Sequence, residues 1–165
     1  MFSLELLDRV ETFKGMNDEQ LEAIKANCEV VEFQRDDKLF TEGDDATHLW
    51  VVMEGDVDLR FELPGTEPSG ISNMSSVSIV KEGVARILGW SCFVPPHKMR
   101  LSAFCASRLC KVLKVKKEAL IELFKNDPQM GYLFMSSIVK VVGYRFHQFQ
   151  DEVAKRRGEH IMSGW

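Results

Sequence analysis

The sequence has little that would anchor it to a membrane or export it. None of its apolar runs approaches the roughly 20 residues needed to cross a bilayer. Its first residues carry Glu5, Asp8 and Glu11 among apolar ones, which is not the pattern of a secretory signal. Without such a signal, its four cysteines are expected to be reduced thiols rather than a disulfide framework. We expect a cytoplasmic protein with no membrane partner.

The chain also lacks a surplus of positive charge. It has 21 Lys and Arg residues against 25 Asp and Glu residues, a formal net charge of −4. Domains that hold nucleic acid usually show a basic excess, because neutralising phosphates supplies most of their affinity. The basic cluster Lys155-Arg156-Arg157 falls where a helix is predicted to end, and cations are favourable there because of the helix dipole. Direct DNA binding is therefore not expected.

The residues that bind metals are scattered. Cys105 and Cys110 flank a predicted turn, but no second cysteine pair completes a zinc site, which favours buried thiols. A metal-dependent cupin-like enzyme needs clustered histidines with a carboxylate, and around His48 the second histidine is replaced by Trp50. A cupin-like enzyme is thus the weakest alternative. We expect no metal, no cofactor and no catalytic residue.

What the chain does have is a hydrophobic period that changes along its length. Residues 1–28 show helical spacing, whereas residues 29–115 contain many short apolar or alternating runs punctuated by glycines. Such runs indicate a sandwich, a jelly roll or a small barrel, with a loop over Pro64–Gly70. Residues 116–158 return to helical spacing. A single α+β domain, mainly β, is predicted over residues 1–165.

The last predicted helix is unusually long. Asp127 supplies an N-cap and Pro128 the first helical position, and the apolar pattern continues to about Arg157. At 1.5 Å per residue the helix would be about 45 Å long, more than the strands can cover. Its far half is expected to pack on a second copy in coiled-coil fashion, although Gly143 weakens that seam. A homodimer is the predicted assembly.

Two segments carry a resemblance to a known family. The stretch from Leu39 to Val57, in which Gly43 and Gly55 bracket an aromatic-aliphatic strand, resembles the strand–turn–strand signature of the cyclic-nucleotide-binding domains. Glycine suits both positions because tight reversals require positive φ. The stretch from Gly89 to Phe104 resembles the phosphate-binding cassette of that family. The resemblance implies a double-stranded β-helix, or jelly roll, with N-terminal helices and a long C-terminal helix.

The resemblance also implies a ligand site. Main-chain amides at the start of a helical turn attract an anion, and a guanidinium grips phosphate oxygens. Arg100 matches the phosphate arginine by position. The other residues implied to bind ligand begin the turn or follow the arginine, and they are Gly89, Trp90, Ser91, Cys92, Leu101 and Ser102.

Trp90 departs from the family pattern. The family usually has a glutamate here that accepts a hydrogen bond from the ribose 2′-hydroxyl. Loss of that bond should weaken binding of cyclic AMP or cyclic GMP by about 1.5–3 kcal/mol. The expected ligand is therefore a cyclic nucleotide or a related small anion.

The predicted function is a ligand-sensing regulatory domain, not an enzyme, that transmits its state through the C-terminal helices to a protein partner of unknown identity. In the family the last helix covers the pocket, and Tyr144, Arg145, His147 and Gln148 are the candidates for this contact. The alternative is a pseudo-sensor with a non-functional pocket that serves as a scaffold or dimerisation module.

Overall fold

The structure is a computed structural model that describes residues 3–61, 76–80 and 86–163. For residues 76–80 and 159–163 it gives the course of the backbone only. The predicted Pro64–Gly70 loop lies outside the described residues. Side-chain statements below concern residues 3–61 and 86–158.

Two short helices and a single 3-10 turn precede the strands. They are α1 (Leu4–Asp8), the turn Glu11–Phe13 and α2 (Asp18–Lys25). Helix α2 begins at Asp18 because Asn17 and Gln20 form a capping box: the Gln20 amide donates to the Asn17 side chain at 2.9 Å, and the Asn17 amide donates to Gln20 at 3.0 Å.

In the described parts of the chain, eight strands form two antiparallel four-stranded sheets. In chain order the strands are β1 (Cys28–Gln34), β2 (Lys38–Phe40), β3 (His48–Glu54), β4 (Val57–Arg60), β5 (Ser76–Val80), β6 (Ile87–Leu88), β7 (Ser102–Cys105) and β8 (Leu109–Lys116). One sheet has the order β1-β8-β3-β6 and the other β2-β7-β4-β5. Consecutive strands β7 and β8 therefore lie in different sheets, so the chain crosses between the sheets at residues 106–108.

Side chains from both sheets meet in one hydrophobic core. Four successive residues of β3, from Leu49 to Val52, are buried, and Leu113 and Val115 of β8 lie in the same core. At about 25 cal/mol for each Å² of apolar surface removed from water, this core is the main source of stability. The predicted class, α+β and mainly β with helices before and after a jelly roll, is confirmed.

Two helices follow the strands, α3 (Lys117–Asn126) and α4 (Pro128–Ser163). Asp127 caps α4, since its carboxylate accepts from the Met130 amide at 3.0 Å and from the Gln20 side chain at 2.6 Å. These hydrogen bonds, the one from Gln20 first, lower the pKa of Asp127. The cap thereby joins the start of α4 to α2. Helix α4 extends beyond Arg157, where the sequence pattern predicted its end.

Phe134 attaches the first half of α4 to the rest of the molecule. It is fully buried, and its ring lies 4.8 Å from Phe124 of α3, 6.3 Å from Phe13 and 5.7 Å from Phe93. Phe93 belongs to the segment that resembles a phosphate-binding cassette. The packing of α4 is thus in direct contact with the candidate ligand site.

Candidate ligand-binding site

A glycine opens the short turn at the centre of the candidate site. Gly89 has a φ of +73° and is the N-cap of a 3-10 turn over Trp90–Phe93. A Cβ at this position would lie 2.7 Å from the His48 carbonyl oxygen and 2.9 Å from the Trp50 ring. Any other residue would therefore meet both backbone strain and a clash. Gly89 fixes where the turn starts.

The segment before Arg100 is held by the turn between β2 and β3. Gly43, with a φ of +87°, donates its amide to the Met99 carbonyl at 2.9 Å, and the Met99 amide donates to the Asp44 carbonyl at 2.8 Å. This short antiparallel pairing joins the two family-like motifs, and its partners Gly43 and Met99 are 56 positions apart in the chain. It places Arg100 at the rim of a cavity.

The cavity has a volume of about 430 Å³ and lies between the β2–β3 turn, residues 98–101 and helix α4. It is lined by Glu42, Gly43, Phe61, Trp90, Lys98, Met99, Arg100, Leu101, Arg145, Gln148 and Phe149. A smaller pocket of about 70 Å³ shares several of these residues and is also lined by Gly89 and Ser91. The size falls within the range of small-molecule sites.

Arg100 is exposed and lines the cavity. Within the part of the chain that the structure describes, it has no ion pair or hydrogen-bond partner, although a nearby carboxylate would have explained an arginine here. An arginine offers five donors in a fork that matches phosphate or carboxylate oxygens. Arg100 can therefore bind an anion without first breaking an internal contact.

Arg145 brings a second guanidinium to the cavity, from helix α4. Its Nη2 donates to the Ile87 carbonyl oxygen of β6 at 3.0 Å. Burial lowers the pKa of Arg145 to about 10, so the side chain remains protonated at neutral pH. The hydrogen bond links α4 to the strand that leads directly into Gly89.

The other charged groups at the cavity are Lys98, which is paired with Asp45, and Glu42. Lys98 is paired with Asp45 at 2.6 Å, and the hydrogen bond from Lys98 lowers the pKa of Asp45. Glu42 is the carboxylate among the lining residues, against Arg100 and Arg145. Among the described residues, the lining therefore carries a net positive charge. Such a lining favours a small anionic ligand.

Trp90 occupies the junction of three cavities. It is half-buried and lines the main cavity, the small pocket and a third space of about 270 Å³ beside Pro95 and Pro96. Its indole supplies a flat apolar wall next to Arg100. A ligand that enters the main cavity would contact both the indole face and the guanidinium.

The structure brings five of the seven expected ligand residues to the cavities and leaves two outside. Cys92 is buried, donates its amide to the Gly89 carbonyl at 2.9 Å and faces a separate groove beside α3 and α4. Ser102 is also buried, and its hydroxyl accepts from the Glu42 amide at 2.8 Å. Leu101 lines the cavity, whereas the Ser102 hydroxyl is directed to the Glu42 amide. The 3-10 turn has only four residues, which leaves most of the anion attraction to the guanidinium.

Glu42, Phe61 and Phe149 also line the cavity, although they were not among the residues predicted to bind ligand. They come from the β2–β3 turn, the end of β4 and helix α4, and no local motif connects them. Of the four candidate contacts from the last helix, Arg145 and Gln148 line the cavity, whereas Tyr144 and His147 do not. The helical spacing of apolar residues extends to Phe149, beyond the length of helix that the sheets can cover. This spacing is the sequence signal that could have identified Phe149.

Metal-binding clusters and membrane-spanning helices are both absent from the residues that the structure describes. Residues 3–61 and 86–158 contain no group of three His, Cys, Asp or Glu side chains placed to hold a metal ion. Among the described helices, none combines the length and apolar character of a membrane span.

Known proteins resemble this chain in structure. A protein from Geobacter metallireducens, provisionally assigned as cyclic nucleotide-binding, is 26% identical over 89% of this chain and all of its own length, with a TM-score of 0.71. A cyclic nucleotide-binding domain from Methylobacillus flagellatus is 19% identical, covering 93% of this chain and 81% of its own, with a TM-score of 0.73.

The catabolite activator protein of Thermus thermophilus is 16% identical, covering 89% of this chain and 63% of its own, with a TM-score of 0.67. No protein-family model and no curated protein sequence matches the chain.

Proposed function

This chain has the fold of the cyclic-nucleotide-binding domains, and we propose that it is a ligand-sensing regulatory domain rather than an enzyme. Its ligand is a small anion, a cyclic nucleotide or a molecule of similar chemistry. The ligand binds in the 430 Å³ cavity between Arg100 and helix α4. The observation that carries the proposal is that Arg100, for which no ion pair is found among the described residues, lines this cavity.

The lining residues suit a ligand with a flat apolar part and a charged part. Trp90, Phe61 and Phe149 offer aromatic surface, and Arg100 and Arg145 offer cationic donors. Aromatic faces stack with nucleobases, and guanidinium groups bind phosphate oxygens. The position of Trp90 predicts weaker contact with a ribose hydroxyl than a carboxylate would give. The proposal therefore extends to ligands other than cyclic AMP and cyclic GMP.

Helix α4 is the proposed output. Arg145 and Gln148 of α4 line the cavity, and Arg145 also bonds to Ile87 of β6. A ligand anion would compete with the Ile87 carbonyl for the guanidinium of Arg145. The contacts that the ligand makes would therefore differ between positions of helix α4. A ligand can shift an equilibrium only through such a difference in contacts. The last helices would transmit the state to a partner protein.

We also propose that the chain forms a homodimer through α4. The helix exposes large apolar residues at alternating steps of three and four, which together with half-buried Val142 form one stripe: Tyr132, Met135, Val139, Val142, Phe146, Phe149 and Val153. This spacing is that of a coiled-coil seam. Beside its first half lies an apolar groove of about 680 Å³, lined partly by Met135 and Val139. A second copy of α4 would cover the stripe and the groove together.

Isothermal titration calorimetry tests the ligand proposal. Purified protein is titrated separately with cyclic AMP, cyclic GMP and cyclic di-GMP. We expect at least one of them to bind, and Arg100→Ala to raise its Kd by about ten- to a hundredfold, because charge-assisted hydrogen bonds to phosphate are lost. Arg108→Ala is the matched control. Arg108 is an exposed arginine on the turn between β7 and β8, away from the cavity lining. The Kd of the ligand for the Arg108→Ala variant should therefore stay unchanged.

Two outcomes would contradict the sensor. Absence of heat with all three nucleotides would favour the scaffold alternative. Equal affinity of Arg100→Ala and the unmodified protein would move the binding site away from this cavity. In either case the dimer proposal would stand or fall by separate measurements.

A further inference from the structure

Two cysteine sulfur atoms meet at the far end of β7. Cys105 ends β7 in one sheet and Cys110 lies in β8 of the other sheet, and their Sγ atoms are 2.8 Å apart. Both residues are fully buried. The separation is less than about 1 Å longer than a disulfide bond. Small side-chain rotations would therefore suffice to join the two sulfurs.

The contact leaves no room for a metal ion between the two thiols. Zinc binds thiolates at about 2.3 Å in tetrahedral geometry, which holds the sulfur atoms well beyond 3 Å apart. Main-chain carbonyls lie close to both sulfurs: Cys110 Sγ lies 2.9 Å from the Asp56 oxygen, and Cys105 Sγ lies 3.2 Å from the Ser107 oxygen, while the Ser107 hydroxyl lies 3.5 Å from Cys110 Sγ. These are acceptors for S–H groups, so the pair is held as thiols facing each other.

The thiols lie directly beneath the surface. The turn that covers them contains the exposed residues Arg108 and Leu109. It is held by hydrogen bonds of Ser107, whose hydroxyl donates to the Leu109 carbonyl at 2.9 Å and accepts from the Asp56 amide at 3.0 Å. A Cβ on Gly55 would lie 2.3 Å from the Leu109 oxygen, so the turn packs closely on a glycine. Local opening of this one turn would admit a small molecule.

We propose that Cys105 and Cys110 form a reversible disulfide that joins the two sheets when the protein meets a small hydroperoxide. Cys28 and Cys92 take no part, because within the described residues neither has a sulfur atom within bonding reach. The site is a modification site at the end of β7 opposite to Arg100 and the ligand cavity. The proposal does not depend on the proposed ligand.

The chemistry balances with a hydroperoxide as oxidant. One cysteine thiolate attacks the peroxide oxygen and becomes a sulfenic acid, while the peroxide leaves as an alcohol or water after taking up a proton. The second cysteine then attacks the sulfenic sulfur, the S–S bond forms, and water leaves. Burial raises the pKa of Cys105 to about 11, so little thiolate exists at neutral pH. The reaction is therefore slow and follows the opening of the turn.

Peptide mapping tests the pairing directly. The reduced protein is treated with hydrogen peroxide, unreacted thiols are blocked with N-ethylmaleimide, and trypsin digestion is carried out without reductant. Trypsin cleaves after Arg100, Arg108 and Lys111, so the two cysteines fall in different peptides, Leu101–Arg108 and Leu109–Lys111. We expect these two peptides to be found linked, and to separate after treatment with dithiothreitol.

The two other cysteines serve as internal controls. Cys92 is as buried as the pair, and burial raises its pKa to about 12, but it has no sulfur neighbour. Blocked Cys105 and Cys110 peptides after peroxide treatment, or a link through Cys28 or Cys92, would overturn the proposal. A Cys28→Ser, Cys92→Ala double variant should give the same linked peptides.

A thermal measurement provides the second readout. A bond across this short loop should raise the Tm of the peroxide-treated protein by about 4–8 °C relative to the same sample after dithiothreitol. Cys110→Ser should lose this difference. The affinity for any ligand found above should change by less than about twofold, because the pair lies outside the cavity lining. A linked protein with an unchanged or lower Tm would contradict the stabilising role of the bond.

Discussion

The two halves of helix α4 have the same kind of sequence but different surroundings. In the first half, Met130, Phe134, Ile138 and Val141 are buried against the strands, α3 and the N-terminal turn. From residue 142 to residue 158 no apolar side chain is fully buried, although Phe146, Phe149 and Val153 continue the apolar pattern. The helical period is therefore a reliable sign of a helix but not of what the helix contacts.

The difference in burial between the two halves of α4 distinguishes a helix segment that belongs to the core from one that forms an interaction surface. One face of the first half is buried inside the chain, whereas the apolar residues of the second half, like the exposed stripe of the first, are left to solvent, ligand or a second copy. Large exposed apolar areas on soluble proteins mark interaction sites. We therefore attribute stability to the first half and function to the second. Three substitutions test this division.

Phe134→Ala should have the largest effect. The ring contacts Phe13, Phe93 and Phe124, so its loss leaves a cavity and should lower the free energy of unfolding by about 3–5 kcal/mol. Urea denaturation at one fixed protein concentration measures it. The matched control is Tyr144→Ala in the second half, where 47% of the side chain is exposed, and it should lower the same quantity by less than about 1 kcal/mol. An equal loss in the free energy of unfolding for both variants would show that the second half of α4 is also packed.

Phe146→Glu should come next, with an effect on assembly rather than on folding. It places a carboxylate in the proposed seam, where 57% of the Phe146 side chain is exposed in a single copy. The Kd of the dimer should rise by about a hundredfold, equivalent to about 3 kcal/mol. Analytical ultracentrifugation over a range of concentrations measures this. His147→Glu adds the same group at the neighbouring position outside the seam, and its dimer should persist. A monomeric unmodified protein at all concentrations would refute the dimer.

Substitutions at Gly143 and Gly131 of α4 should give the smallest and most discriminating effect. A Cβ at Gly143 would meet no atom within 4 Å, so Gly143→Ala should raise the free energy of unfolding by about 0.5–1 kcal/mol. A Cβ at Gly131, in the first half, would lie 3.0 Å from the Phe124 Cβ, and Gly131→Ala should therefore gain less or lose stability. Thermal denaturation of both variants measures the contrast. A loss of stability in Gly143→Ala would mean that something packs on that position, as a dimer seam could.

Much of the fold follows from local patterns. Asn17 with Gln20 and Asp127 with Pro128 were recognisable as helix starts because the capping groups lie within a few residues of the amides they satisfy. The strand β6 was not predicted, since Ile87 and Leu88 are too few to show a period. They form a strand only because they pair with Trp50 and Val51 of β3. That pairing is a property of the folded chain.

The candidate site was predictable only in part. Gly89 and Arg100 could be singled out because a tight turn and a charge leave a local signature. Cys92 and Ser102 share the same segment but face away from the cavity, because the direction of each side chain depends on turn geometry and strand alternation. Glu42, Phe61 and Phe149 required the folded chain, since they reach the cavity from three separate elements.

The sequence by itself determined where helices and strands begin, where glycine is needed and which residues carry charge, because these depend on neighbours within one or two turns of the chain. Only the tertiary structure decided which charged groups share a cavity and which sulfur atoms meet. Arg100 and Arg145 share a lining although 44 positions separate them, and Cys105 and Cys110 touch across two sheets. Such distances depend on how sheets and helices pack, and the packing is a collective result of the whole buried core.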